Sequence, residues 1–124
     1  MTQIDTQTLV SFSLTVLSGH RIEELEPFAG RTFVSGPDED HFYSIYKSDF
    51  VGDEWDERSD RLHQMASDAL DLLDATDISP SELHHPDVRV RAFYTFEPGS
   101  ETLQAEDVKR LARINATIWI DANA

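Results

Sequence analysis

The chain contains no cysteine. That removes disulfides, thiolate nucleophiles and cysteine-ligated zinc or iron–sulfur centres together, because each requires sulfur. Glycine is scarce as well. The five glycines, Gly19, Gly30, Gly36, Gly52 and Gly99, never fall at the spacing of a serine-nucleophile elbow, a P-loop or a dinucleotide fingerprint, all of which need closely spaced glycines. Basic residues number 10 against 24 acids, a formal net charge of −14. Direct binding to a nucleic-acid backbone would therefore work against the protein's own field. No apolar run approaches the roughly 20 residues of a membrane span. The opening MTQIDTQTLV has neither the basic start nor the apolar centre of a signal peptide, so the expected compartment is the cytoplasm, with no membrane contact.

What is present is the balance of one ordinary domain: 124 residues, 40% apolar and 27% charged, with no linker or internal repeat to divide them. Residues 1–124 are read as a single domain. Its charge is concentrated. Residues 1–36 carry four acids and two bases, residues 37–77 thirteen acids and three bases, and residues 78–124 seven acids and five bases. The middle third thus holds most of the field, and its acids are interleaved with Phe42, Tyr43, Tyr46, Phe50 and Trp55. An acidic disordered tail would be poor in such aromatics.

Hydrophobic periodicity outlines the elements. Residues 9 to 17, LVSFSLTVL, alternate as a half-buried strand. His20 to Phe28 reads as a short helix limited by Pro27 and Gly30, and Phe42 to Val51 as a second strand, with an extra strand at residues 31–35 before the turn Ser35-Gly36-Pro37. Ser59 to Asp74 places Leu62, Met65, Ala66, Ala69, Leu70 and Leu73 on one helical stripe, with Ser59 as its expected cap. Asp77 to Pro86 reads as a loop with one turn near Ser81. Val88 to Phe96 alternates again, with Arg89, Arg91 and Phe93 on the face opposite Val90, Ala92 and Tyr94. A helix from Ala105 to Arg113, expected to bury Ala105, Val108, Leu111 and Ala112, leads into a last strand with Trp119 turned away from Ile118 and Ile120. The order predicts an α+β sandwich: a largely antiparallel sheet of four to five strands with helices on one face, ferredoxin-like in outline.

The strand Leu9 to Leu17, Trp55 leading into the helix of Leu62, Leu70 and Leu73, and the ending Leu103 to Asp121 with its INATIWID strand resemble the bacterial domain of unknown function family 4279. The resemblance covers most of the chain and rests on hydrophobic pattern and element order. It implies a compact cytoplasmic bacterial domain and carries over no site residue. The acidic, glycine-poor segment Asp38 to Asp60 departs from that pattern.

No catalytic motif is present, so the chain is read as a non-enzyme with no expected cofactor. Paired carboxylates for glycoside chemistry need a defined separation that spacing alone does not supply. A metal reading places Asp60 and His63 on one face of the long helix with His84 or His85 approaching from the loop, although no helical His-Glu-x-x-His pair occurs. The run Asp49 to Glu57 has its acids out of register with a calcium loop. Trp55 reads first as a ring folding back over the core and otherwise as an exposed anchor. If the last two strands pair, Arg89, Arg91, Phe93 and Trp119 share a sheet face open to a partner or to self-association.

The leading expectation is an interaction module of the immunity or inhibitor type that docks a basic protein through Asp38, Glu39, Asp40, Asp53, Glu54, Trp55, Asp56, Glu57 and Asp60. The alternatives are a small-molecule or metal domain using the histidines, and a nucleic-acid mimic built on the row Glu57, Asp60, Asp68, Asp71 and Asp74.

Overall fold

A computed structural model describes residues 9–30, 41–52, 54–97 and 101–122. The predicted strand at residues 31–35, together with Asp38, Glu39, Asp40 and Asp53, lies outside the described residues.

The alternation of the first strand, β1 (Leu9–Ser18), has its cause in its position. It lies at the centre of the sheet, antiparallel to β2 (His41–Val51) on one side and to β3 (Val88–Glu97) on the other. A strand with neighbours on both sides and helices over one face buries every second side chain, and Val10, Phe12, Leu14 and Val16 are fully buried. The last strand, β4 (Ala116–Ala122), runs parallel to β3, so the order is β2-β1-β3-β4 and the sheet is mixed but mostly antiparallel.

Register sets the core. Phe12 stands opposite Tyr94 of β3, and the two rings meet edge to face at 4.9 Å between centroids. On the other side a bulge in β2 falls at Ile45, between the pairs Leu14–Tyr46 and Thr15–Ser44. The extra residue lets Tyr43, Ile45 and Tyr46 all contribute apolar surface to the same side. The Tyr43 hydroxyl accepts from the amide of Ile22 at 2.8 Å. That bond ties β2 to the start of a 3₁₀ helix (Glu23–Phe28), which stands where a short helix is predicted.

The long helix, α1 (Trp55–Asp74), closes the core with Leu62, Met65, Ala66, Ala69, Leu70 and Leu73, the predicted stripe. It begins four residues before the predicted start. Ser59 is therefore not a cap: it is buried within the helix, and its hydroxyl donates to Glu101. One turn, α2 (Pro80–Leu83), is capped by Ser79, whose side chain accepts from the Glu82 amide. The final helix, α3 (Ala105–Arg113), has the predicted bounds but a narrower buried face. Leu111 is its buried apolar residue, whereas Ala105, Val108 and Ala112 are exposed, because α3 lies over the sheet's edge at β4. Ile120 on that edge strand is exposed for the same reason. Asn115 turns the chain from α3 into β4 at φ 59°, a left-handed conformation that asparagine tolerates.

The result is a single α+β domain with a four-stranded open sheet and helices packed on it. It is not ferredoxin-like. That connectivity is β-α-β-β-α-β, whereas here β1 and β2 are direct antiparallel neighbours, α1 and α2 separate β2 from β3, and β3 and β4 pair in parallel. No described helix is long and apolar enough to cross a membrane.

Candidate functional site

The last turn before α1 and its first two turns gather the described members of the predicted acidic surface. Glu54, Trp55, Asp56, Glu57 and Asp60 are all exposed. Glu54 occupies the N-cap position without a side-chain cap bond, and Asp56 and Glu57 sit in the first turn, where carboxylates suit the helix dipole. The Trp55 ring does not fold back over the core. It is 48% exposed, close in sequence to an equally exposed Val51. The inward side of the same turns explains why: Arg58 and Ser59 hold the core-facing positions and both bond Glu101, at 2.8 and 3.0 Å, leaving Trp55 on the outer side. The run Asp49 to Glu57 is not a single loop, since Asp49 belongs to β2 and Asp56 and Glu57 to α1.

The acidic row along α1 divides in two. Toward its C-terminal end Arg110 of α3 donates to Asp71 and Asp74 at 3.0 and 3.1 Å, and Gln64 donates to Asp68 at 2.8 Å. At the N-terminal end, among the described residues, Glu54, Asp56, Glu57 and Asp60 take part in no ion pair. Of the two bases on these turns, Arg58 faces inward to Glu101 and Arg61 lies over the Phe50 ring at 4.6 Å.

The predicted metal grouping does not assemble. His63 Nδ1 bonds Asp107 Oδ2 at 2.8 Å, so α3 captures it rather than the loop after α2. His84 is occupied elsewhere, its Nε2 donating to the Arg113 carbonyl at 2.9 Å. Asp107 is buried, and among the described residues its other oxygen, Oδ1, has no hydrogen-bond partner, nor does the buried Tyr94 hydroxyl. The hydrogen bond to Asp107 raises the His63 pKa, while burial and then the nearby Asp107 charge push the Tyr94 hydroxyl upward.

His85 joins a different set. His20, just past β1, contacts Glu82 Oε1 through Nε2 at 2.5 Å and Asp87 Oδ2 through Nδ1 at 3.2 Å. Bonds from Glu82 first and Asp87 second raise its pKa. The His85 ring stands edge-on to His20 at 5.0 Å, and its Nδ1 accepts from the Asp87 amide at 3.0 Å. Ligand atoms of His20, His85 and Asp87 lie within 4.8 Å of one another, the one such grouping among the described residues. Sequence reasoning missed it because His20 and Asp87 are 67 positions apart. The signal available was Gly19: a Cβ there would stand 2.6 Å from the Asp87 carboxylate, which would have to shift away from His20.

On the sheet face opposite the core, Phe93 and Trp119 are direct cross-strand partners, stacked at 6.0 Å, with Arg91 6.0 Å from the Trp119 ring. Trp119 is half exposed. The predicted sharing of one face by Arg89, Arg91, Phe93 and Trp119 follows from this register.

No family model, curated protein or solved structure matches the chain.

Proposed function

We propose that this chain is a non-enzymatic interaction module of the immunity or inhibitor type, which binds a basic protein surface through the start of α1. One observation carries the reading: a tryptophan half exposed amid four exposed carboxylates that have no ion-pair partner among the described residues. A monomer gains little stability from such an arrangement, whereas an interface uses it twice. Tryptophan is among the residues that dominate binding energy once desolvated, and a concentrated negative field accelerates encounter with a basic partner and rejects acidic ones. Asp38, Glu39, Asp40 and Asp53 belong to the proposal through their place in the sequence. A compact cytoplasmic bacterial domain, as the resemblance to family 4279 implies, is the setting in which we place it.

The pairing of Asp71 and Asp74 with Arg110 favours this reading over nucleic-acid mimicry, which needs an unbroken row of available carboxylates. The test is capture at low salt by immobilised wild-type chain, by Trp55→Ala, and by a variant combining Glu54→Gln, Asp56→Asn, Glu57→Gln and Asp60→Asn. A basic protein retained by the wild type and lost from both variants is expected. Equal retention by all three contradicts the proposal.

A further inference from the structure

We propose that His20, His85 and Asp87 form a binding site for a divalent transition metal of the zinc type, with Glu82 as the outer partner of His20. The site joins the end of β1 to the turn between α2 and β3, and lies apart from the acidic surface of α1.

The donor set is two imidazoles and one carboxylate. In the absence of thiolate, that combination selects zinc and its borderline neighbours over calcium or magnesium, which take oxygen ligands. One pair is already spaced for a small ion, and the third ligand atom lies within 4.8 Å of it. Two ligands of a tetrahedral zinc with bonds of roughly 2.0–2.1 Å stand about 3.3 Å apart, and His20 Nδ1 and Asp87 Oδ2 are separated by 3.2 Å. That spacing, filled by a hydrogen bond without metal, also fits two atoms sharing a cation.

The far side of His20 strengthens the assignment. A metal-bound histidine usually donates its other ring N–H to a carboxylate, which fixes the tautomer and raises ligand basicity. With Nδ1 on the metal, Nε2–H donates to Glu82 Oε1, the contact already in place at 2.5 Å. His85 supplies the third ligand from an exposed ring, one of whose nitrogens lies within 4.8 Å of the other two ligand atoms. Three protein ligands leave a fourth position open to water or another ligand. Binding releases the proton that otherwise lets His20 bridge both carboxylates.

Gly19 supplies independent support. Its amide donates to the Asp87 carbonyl at 3.1 Å, so the backbones are held together, and the missing Cβ leaves the space that the Asp87 carboxylate fills beside His20.

The experiment is calorimetric titration of tag-free, chelator-stripped protein with zinc chloride at pH 7.5, with calcium chloride as control, followed by cobalt(II) absorption. One zinc per chain is expected, with no calcium response and a tetrahedral cobalt spectrum. His85→Ala and Asp87→Asn should each weaken zinc at least about tenfold, and Glu82→Gln about tenfold, the usual loss for an outer partner. His63→Ala and His84→Ala should leave the affinity unchanged. Thermal melting of each apo variant checks folding, and His85→Ala, which removes an exposed ring and one hydrogen bond to the Asp87 amide, decides if Asp87→Asn unfolds. No zinc binding overturns the proposal. So does zinc binding that survives His85→Ala, or that is lost equally in His63→Ala.

Discussion

Arg58 and Glu101 form an ion pair at 2.8 Å in which the side chains are 9% and 1% exposed. Glu101 also accepts from Ser59, so one carboxylate from the segment before α3 fixes consecutive residues of α1. The same two helical turns look outward through Trp55, Asp56, Glu57 and Asp60. A buried contact thus sets the direction of an exposed surface, and the rigidity of the surface follows from the cost of breaking the contact.

Breaking a buried ion pair by removing one partner typically costs about 3–5 kcal/mol. Glu101→Ala is expected to destabilise the fold by about that much in urea unfolding. The double replacement Arg58→Met, Glu101→Leu should recover part of the loss, because both charges go while the buried Ser59 hydroxyl still loses its acceptor.

The packing of α3 separates two residues that periodicity treats alike. Leu111 is fully buried and Val108 is 38% exposed. Leu111→Ala should cost about 2–5 kcal/mol, and Val108→Ala no more than about 0.5 kcal/mol. Unfolding midpoints measured side by side check both values.

Much of this architecture is legible in the residues, and the failures share a cause. Alternation in Val10 to Val16 and Val88 to Phe96 marks the strands correctly because both are flanked by neighbours in the sheet. At α3 and β4 the same logic overcounts burial, since an edge strand offers the helix only part of a face. The start of α1 is misread because Ser59 looks like a cap, whereas the real N-cap, Glu54, makes no side-chain bond. Connectivity escapes pattern reading altogether: nothing local tells Leu9–Ser18 to pair antiparallel with Val88–Glu97. Contacts between distant residues are invisible for the same reason, so His63 is assigned to His84 and His85 although Asp107 holds it.

His63 gives the fold a pH dependence with a definite sign. Groups facing it are Asp107 and Glu106 from α3 and Asp60 from its own helix, with the buried Tyr94 beyond Asp107. Its folded pKa is raised above the ordinary value of about 6.5. The stabilisation is therefore complete below that value and lost as pH climbs through the folded pKa. The wild type should lose more stability between pH 6 and pH 8 than His63→Gln, a comparison that removes the contribution of His20. Denaturant midpoints at the two pH values measure the difference, which should be modest because the imidazole is partly exposed.

Trp55 should matter little to the fold. Truncating a buried tryptophan costs about 3–5 kcal/mol. Trp55→Ala is expected to cost no more than about 1 kcal/mol, since half of the ring is in solvent and few contacts are lost. Thermal unfolding of the variant makes the check, and a large loss would assign the ring a packing role.

The most direct measurement is the affinity of the wild-type chain for the basic protein it captures, determined at 50 and 300 mM salt alongside Trp55→Ala. The wild-type affinity should fall steeply with salt, because an interface between fields of opposite sign is screened. Trp55→Ala should lose about 2 kcal/mol, close to thirtyfold, at either salt concentration. An affinity indifferent to salt and to Trp55→Ala would contradict the proposed interface.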